Sequence, residues 1–507
     1  MRIAFATSHY ENLAIEYLSA LVKLDGHETA LFFEPALFHN FFCDSNFLHD
    51  RVFNFRSRLL KSLEEWKPDI IAFSVISDNY RWTLDIAREA KKLTGAKIVF
   101  GGVHPTSVPD RTLAEGTPDF IVAGDAEEAF PELARALAAG TDPSGIANVG
   151  GRSGGKTWLN PPRPLMKDLD RLPFPDKDLF YRECALLVKK SYMISASRGC
   201  NYSCSYCWNS MIRKVYPEGF FRRRSPENAA AELEWAKARY GIERVTFYDE
   251  VFTSDRDWLE KFLEIYRRRV GLPFFCCVHP DNIDEAVVKL LEDSGCGAVN
   301  IGLQTANEDT RRRILNRGGS NDQAARALDI LGRSKLYVYS NIMLGLPGET
   351  EKDLEGTLLF CARHKADLPA IYWLRYYPGT RIIETAGGMG ILTGEQIERI
   401  NDSREYLPYA TTGSTYKPDM ARLGNLILLS GFLPVAWAET IVRRRLYRFL
   451  PAGNLLFPVI ALTAWIKKYF KGKNSPFHYL SVTDYARFYL LYSWRLLRTS
   501  AARLFRS

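Results

Sequence analysis

No stretch of this chain is collagen-like or of low complexity, which excludes a fibrous protein or a long disordered tail. The opening MRIAFATSHY carries one Arg and an apolar run of only four residues, so no secretory signal is expected there. The cysteines cannot all pair: there are nine, unevenly placed at positions 43, 184, 200, 204, 207, 276, 277, 296 and 361. A disulfide framework is therefore not expected, and a reducing, cytoplasmic setting is. Acidic residues are scarce at one end. Residues 415–507 hold 15 basic and 3 acidic side chains, net +12, whereas the rest holds 52 basic and 56 acidic, net −4.

What is present suffices for several cores. The 507 residues are 46% hydrophobic, 25% charged and 13% aromatic. At roughly 150 residues per domain, that length suggests about three domains.

The first 150 residues alternate apolar runs with helical patterns. Ile3–Thr7, Thr29–Glu34, Ile70–Val75, Lys97–Gly101 and Phe120–Ala123 read as strands. Glu11–Leu24, Asp50–Trp66, Arg81–Leu93 and Glu127–Leu137 read as helices. The alternation predicts an α/β, doubly wound (Rossmann-like) parallel sheet. Ligands of such sheets lie beyond the carboxyl ends of the strands. Those ends carry Thr7-Ser8, Ser74-Val75-Ile76-Ser77, Gly101-Gly102-Val103-His104 and Gly124-Asp125, mostly small or polar. Each alone is equally ordinary turn chemistry.

Residues 191–210 read SYMISASRGCNYSCSYCWNS. Cys200, Cys204 and Cys207 form C-x3-C-x2-C directly after an apolar strand. Three thiolates on one short loop can bind three irons of a [4Fe–4S] cube and leave the fourth open to a chelating substrate. A closed zinc site needs four ligands, and no nearby His or fourth Cys completes one.

This loop, with Tyr206 before the third Cys, resembles the radical S-adenosylmethionine (SAM) superfamily. The downstream order agrees: Val245–Tyr248 then Asp249-Glu250; Asn300-Ile301-Gly302-Leu303-Gln304; Gly345-Leu346-Pro347-Gly348-Glu349-Thr350; Tyr376-Tyr377-Pro378-Gly379-Thr380. The resemblance covers about residues 190–385 and implies a partial (β/α)6 barrel, open on one side. It implies a [4Fe–4S] cluster on the three cysteines and SAM held by Tyr206, Asp249, Glu250, Gln304, Gly345, Pro347 and Gly348. Where the family often has Glu and Ser, this chain has Gln304 and Thr305. An electron from the cluster would cleave SAM to a 5′-deoxyadenosyl radical, the cofactor doing the hard chemistry.

A doubly wound domain before such a barrel resembles the cobalamin (B12)-binding domain of the B12-dependent subgroup, as does the linker Leu165–Phe180. That likeness implies cobalamin contacts at Thr7, Ser8, Ser74, Val75, Ser77, Gly101, Gly102, His104, Gly124 and Asp125. The D-x-H-x-x-G motif that supplies a cobalt-ligating His elsewhere is missing from residues 1–150, so His9 and His104 are expected to be hydrogen-bonding loop residues. The domains expected are 1–145 (cobalamin-binding), 146–188 (linker), 189–400 (barrel) and 401–507 (basic, apolar, helical).

Other residues are open to two readings. Arg222, Arg223 and Arg224 precede a Ser-Pro-Glu helix start; two of them are expected to be solvated, with Arg224 reaching SAM. Cys276 and Cys277 read as buried core, and Arg375 as either a substrate contact or a packed side chain. In the tail, Gly424–Ala438 and Phe449–Ile466 lack charge, and Arg443–Arg445 and Lys467-Lys468 flank them. Pro and Gly argue against a spanning helix, leaving a cap over the barrel mouth or a peripheral membrane element with Trp437 and Trp465 at its ends. Two activities fit: methyl transfer from methylcobalamin to an unactivated carbon or phosphorus, or ring closure or rearrangement of the tetrapyrrole-cyclase kind without net methylation. The partners implied are an electron donor such as flavodoxin or ferredoxin and a small-molecule substrate, apolar or membrane-delivered if the tail docks on a membrane. Nucleic acid is not expected, because the basic tail is strongly apolar.

Overall fold

The computed structural model describes residues 1–8, 11–34, 55–183, 191–403 and 418–451. They fall into two compact units, one of residues 1–164 and 171–183, the other of residues 165–170 and 191–451.

The first unit is a seven-stranded sheet: β1 (Arg2–Ser8), β2 (Glu28–Glu34), β3 (Ile70–Ser74), β4 (Lys97–Gly101), β5 (Phe120–Val122), β6 (Val149–Ser153) and β7 (Lys156–Leu159). Their order is β2-β1-β3-β4-β5-β6-β7, the first five parallel. Strand order reverses between β1 and β3, the switch point where doubly wound sheets bind ligands. Helices Leu13–Leu24, Phe55–Trp66, Tyr80–Thr94 and Ala129–Ala139 cover the sheet. Asn12 starts the first by accepting from the Ala14 and Ile15 amides. The β6–β7 hairpin, antiparallel to β5, carries the sheet to residue 159, past the expected domain end at 145. Its turn is Gly154-Gly155, both at positive φ, the two-residue turn that matches strand twist. Lys177 is fully buried, 2.7 Å from both Glu11 and Glu16.

The second unit holds β8 (Tyr192–Ile194), β9 (Ser197–Arg198), β10 (Arg222–Arg223), β11 (Val245–Phe247), β12 (Phe274–Val278), β13 (Cys296–Gln304), β14 (Tyr337–Leu344) and β15 (Leu368–Trp373). Six form an all-parallel sheet in the order β15-β14-β13-β12-β11-β8, with two open edges. This is the expected partial (β/α)6 barrel. Sequence-local caps start its helices: Ser225 before Pro226–Tyr240, Asp255 before Arg256–Arg269, and capping boxes Ser320/Gln323 and Thr350/Asp353.

The charge-free stretch after residue 424 belongs to this unit's core. Helix Pro418–Leu429 sets Met420, Leu423, Leu426 and Ile427 against Leu344, Leu354, Leu358 and Ile371. A Cβ on Gly424 would come within 2.7 Å of the Leu344 side chain, so the small residue permits the close approach. The cover falls on the outer flank of β14 and β15, not over the mouth. Helix Val435–Arg443 follows, with Trp437 exposed. Most of Phe449–Ile466, and Trp465, lie outside the described residues.

Candidate active site

The three cysteines lie on the loop between β9 and the helix Asn209–Val215. Gly199 makes the entry turn at φ +79, and a Cβ there would sit 2.2 Å from the Phe220 carbonyl oxygen. Cys200 and Cys204 are buried and Cys207 is half-buried. Burial, with the Glu250 charge adding to it, pushes the Cys200 thiol up to about 11 and Cys207 to about 12. They therefore hold protons until a metal displaces them.

The loop is held from both sides. Tyr202 stacks on His279, ring centroids 3.9 Å apart, and its amide donates to Cys200 Sγ at 3.4 Å. From the other side, the Ser205 amide and hydroxyl donate to the carbonyls of Leu315 (2.9 Å) and Ile314 (2.6 Å). Asn316 Nδ2 donates to the Ser203 carbonyl at 2.8 Å. Arg317, which the motif reading missed, donates from Nη1 to Cys204 Sγ at 3.6 Å and from Nη2 to the Gly302 carbonyl at 2.7 Å. The half-buried Tyr206 packs among Met343, Leu346 and Tyr376, joining the loop to the ends of β14 and β15.

Among the described residues no three Cys, His, Asp or Glu side chains converge as a single metal ion needs. A cube spreads its thiolates over three different irons and asks for a wider triangle. Three thiols influencing one another on one loop, with no four-ligand cluster among the described residues, suit that group and not a closed zinc site.

The acidic pair after β11 divides its work. Asp249 is buried and accepts from the Ala196 amide at 3.1 Å and from the Ser197 hydroxyl, so it braces the approach to the loop. Glu250 is exposed at its side chain, and the protein around it, then the Asp249 charge, raises its carboxyl. Of the two, Asp249 is buried and Glu250 is the exposed carboxylate. Gln304 ends β13 at φ +68, a strained conformation of the kind that gathers at functional sites. After β14, Gly345 and Leu346 donate their amides to Glu349 at 2.7 and 3.3 Å. The G-x-P-G-E-T turn is thus wrapped on its own carboxyl, with Pro347 buried and Gly348 exposed.

Other expectations are corrected. Arg224 is spent on Glu232 (2.5 Å) and Asn228 (2.7 Å), and Glu232 also accepts from the Tyr192 hydroxyl. Arg222 is buried and Arg223 half-buried, so neither is solvated. They form β10, and Arg223 stacks on Trp258. Cys276 is core as expected. Cys277 is half-buried on the opposite face of β12, near Glu250 and Asn300. Arg375 is half-buried just after β15.

In the first unit the strand-end loops are tied in series. Asn12 Nδ2 donates to Ser74 Oγ at 3.1 Å, linking the segment after β1 to the end of β3 across the switch point. The Val75 amide donates to the Gly101 carbonyl, and the His104 amide to the Val75 carbonyl. A Cβ on Gly102 (φ +101) would meet Val75 backbone at 2.8 Å. Thr7 and Ser8 are buried, Gly124 donates its amide to Thr106 Oγ at 2.9 Å, and Asp125 is half-buried. His104 is buried, lies on Tyr80 with ring centroids 4.0 Å apart, and pairs through Nδ1 with Ser77 Oγ at 3.0 Å. Burial lowers it to about 4, so it is neutral. His9 lies outside the described residues. Small polar residues and an exposed Ile76 at these ends fit a large, partly apolar ligand held by backbone and packing.

A three-thiol loop at the carboxyl ends of an open parallel barrel, in a chain that also carries a doubly wound sheet, defines a cofactor-dependent radical enzyme. The chain belongs to the radical SAM superfamily, in the group that carries a B12-binding domain: the B12 binding domain matches residues 2–134 and the Radical SAM superfamily domain residues 194–361. Its cofactors are a [4Fe–4S] cluster, SAM and cobalamin. It is similar to an uncharacterised methyltransferase of Pyrococcus horikoshii, 27% identical over 65% of this chain and 72% of that one. It is also similar to the anaerobic magnesium-protoporphyrin IX monomethyl ester cyclase of Rubrivivax gelatinosus, 24% identical over 72% of this chain and 64% of that one. In fold it resembles the cobalamin-dependent SAM radical enzyme OxsB, solved with aqua-cobalamin and SAM bound, at TM-score 0.63 and 13% identity over 100% of this chain and 81% of that one. Among the described residues no helix is long and apolar enough to cross a membrane.

Proposed function

We propose that this enzyme methylates an unactivated carbon or phosphorus of a small molecule, taking the methyl group from methylcobalamin. The observation that carries the reading is the pairing of a three-thiol loop, closed on one side by Arg317, with strand ends whose histidine is already engaged by Ser77. The likeness to the Pyrococcus methyltransferase supports methyl transfer. Cys200, Cys204 and Cys207 would hold the cluster. Tyr206, Glu250, Gln304, Gly345, Pro347 and Gly348 would hold SAM, with Glu250 rather than Asp249 accepting from its amine. Thr7, Ser8, Ser74, Val75, Ser77, Gly101, Gly102, Gly124 and Asp125 would line the cobalamin within the first unit, and the barrel of about residues 189–400 would hold the cluster and SAM. When bound, the cluster supplies one electron to SAM and cobalamin supplies the methyl group. The chain's part is to orient both, and to keep water from the barrel interior lined by Phe275, Cys277, Asn300 and Tyr339.

Anoxic reconstitution with SAM, cobalamin and a flavodoxin- or ferredoxin-class donor tests this. Methylated product with S-adenosylhomocysteine and 5′-deoxyadenosine in equal amounts supports methyl transfer. 5′-Deoxyadenosine without S-adenosylhomocysteine supports the second reading, ring closure, which the likeness to the Rubrivivax cyclase favours. We place the enzyme in the cytoplasm, resting on the inner face of the membrane through exposed Trp437 and Phe449 beside Arg443–Arg445. Salt-sensitive pelleting with anionic vesicles is the expected result; no pelleting at low salt would rule the contact out.

A further inference from the structure

The inner face of the barrel has a chemistry of its own. Leu303, Ile342, Leu344 and Ile371 pack into the helical layer, so the residues alternating with them on the same strands face inward. Register sets Cys277 beside Asn300, Asn300 beside Tyr339 and Tyr339 beside Leu368. None of the six strands holds a charged residue. Titratable groups begin past the strand ends, with Glu250 and with His279, which stacks on Tyr202. Large aromatic side chains are nonetheless left open on this face. Tyr372 on β15 is 45% exposed, and Tyr248, next after β11, is 44% exposed. Nearer the amino ends of the strands, Phe275 and Tyr339 meet edge to face, ring centroids 6.2 Å apart. One polar atom is left over: Asn300 Oδ1 is buried and has no hydrogen-bond partner among the described residues. A buried acceptor left unpaired is costly, so it asks for a donor. An anion on this face would find no counter-charge and is strongly disfavoured.

We propose that the barrel takes an uncharged aromatic or conjugated ring that carries an N–H or O–H. Asn300 Oδ1 accepts that hydrogen, and Tyr248 and Tyr372 cover the ring, whose flat apolar surface suits aromatic neighbours. The proposal rests on the methyl-transfer reading and narrows it. The methylated atom is carbon, because a phosphinate is an anion and no cation stands on these strands.

The test uses the full chain reconstituted anoxically with its cluster, SAM and cobalamin, without a reductant, so that nothing turns over. Equilibrium dialysis compares indole, 1-methylindole and indole-3-acetate. Indole is expected to bind at least about tenfold more tightly than either of the others. 1-Methylindole lacks the hydrogen that Asn300 accepts, and indole-3-acetate brings an unpartnered charge. In Asn300→Leu the gap between indole and 1-methylindole should close. In Tyr372→Ala indole should bind about tenfold more weakly, with iron content that of wild type. Methylphosphinate should not displace indole. Equal binding of indole and indole-3-acetate overturns the proposal. So does an N–H preference that survives Asn300→Leu, displacement by methylphosphinate, or no saturable binding of indole. If Asn300→Leu fails to fold, the three probes on the wild-type chain decide alone. Ring closure in place of methyl transfer would show in product analysis and leave these affinities untouched.

Discussion

Glu349 shows how a motif residue can serve its own loop. Burial drives its carboxyl up to about 8 from 4.5, against the opposing pull of the Gly345 and Leu346 amides. The folded chain thus keeps a proton that the unfolded chain loses above 4.5. Stability from this group is complete below that value and falls as pH rises towards about 8, by up to about 1.4 kcal/mol per pH unit. Glu349→Gln mimics the protonated form, so denaturant titrations across this window should show a flatter decline than wild type. A slope equal to wild type would mean the carboxyl is ionised at neutral pH. The cysteines make a second prediction at this scale. Replacing Cys200, Cys204 and Cys207 by Ala should remove the bound iron and all SAM cleavage, while circular dichroism stays that of the folded chain. Iron still near about four per chain, the full content of such a cube, would show that the loop is not the ligand set.

At the scale of elements, the C-terminal helix decides how truncation experiments must be built. Leu423 is fully buried against the barrel, so Leu423→Ala should cost about 2–5 kcal/mol in urea unfolding of the second unit. A loss well under about 1 kcal/mol would mean the helix is only loosely docked. A chain ending near residue 400 would strip the flank of β14 and β15 and pellet through exposed core. The vesicle comparison therefore belongs to the full chain with the exposed Trp437 and Phe449 replaced by Ser. Elements were legible wherever local chemistry was complete: the βα alternation, the Ser225-Pro226 start and the C-x3-C-x2-C loop all announce themselves within a few residues. The β6–β7 hairpin had its signal too, in Ser153-Gly154-Gly155-Lys156, but its strands are too short for alternation to show. The destination of the charge-free run after residue 424 was not legible, because an apolar helix face reads the same whether it meets a barrel or a bilayer.

For the whole molecule, the test of the cobalamin reading lies in the metal's axial ligand. His104 is neutral, buried and paired with Ser77, so Co(II) cobalamin on this enzyme should show no nitrogen superhyperfine splitting from the protein. Splitting that disappears in His104→Ala or in His9→Ala would identify that residue as the ligand. The site was readable from sequence as a set of strand-end motifs. What could not be read were side chains whose roles are set across the fold. Asp249 turns inward to Ser197, Arg224 to Glu232, Cys277 faces the barrel interior, and Arg317 arrives from 113 positions beyond Cys204. No local spacing rule relates such pairs.

The braces on the cysteine loop also bear on when iron can be delivered. Ser205 is pinned by a residue 109 positions later, and Ser203 by one 113 positions later. While the chain is being made, the cysteines emerge long before their braces, and β13 must form before Ile314–Arg317 can reach back. Until then the loop lacks the contacts that fix it in the folded chain. The finished site therefore cannot form until synthesis has passed Arg317, and iron–sulfur delivery that needs the braced loop must meet a chain made at least that far.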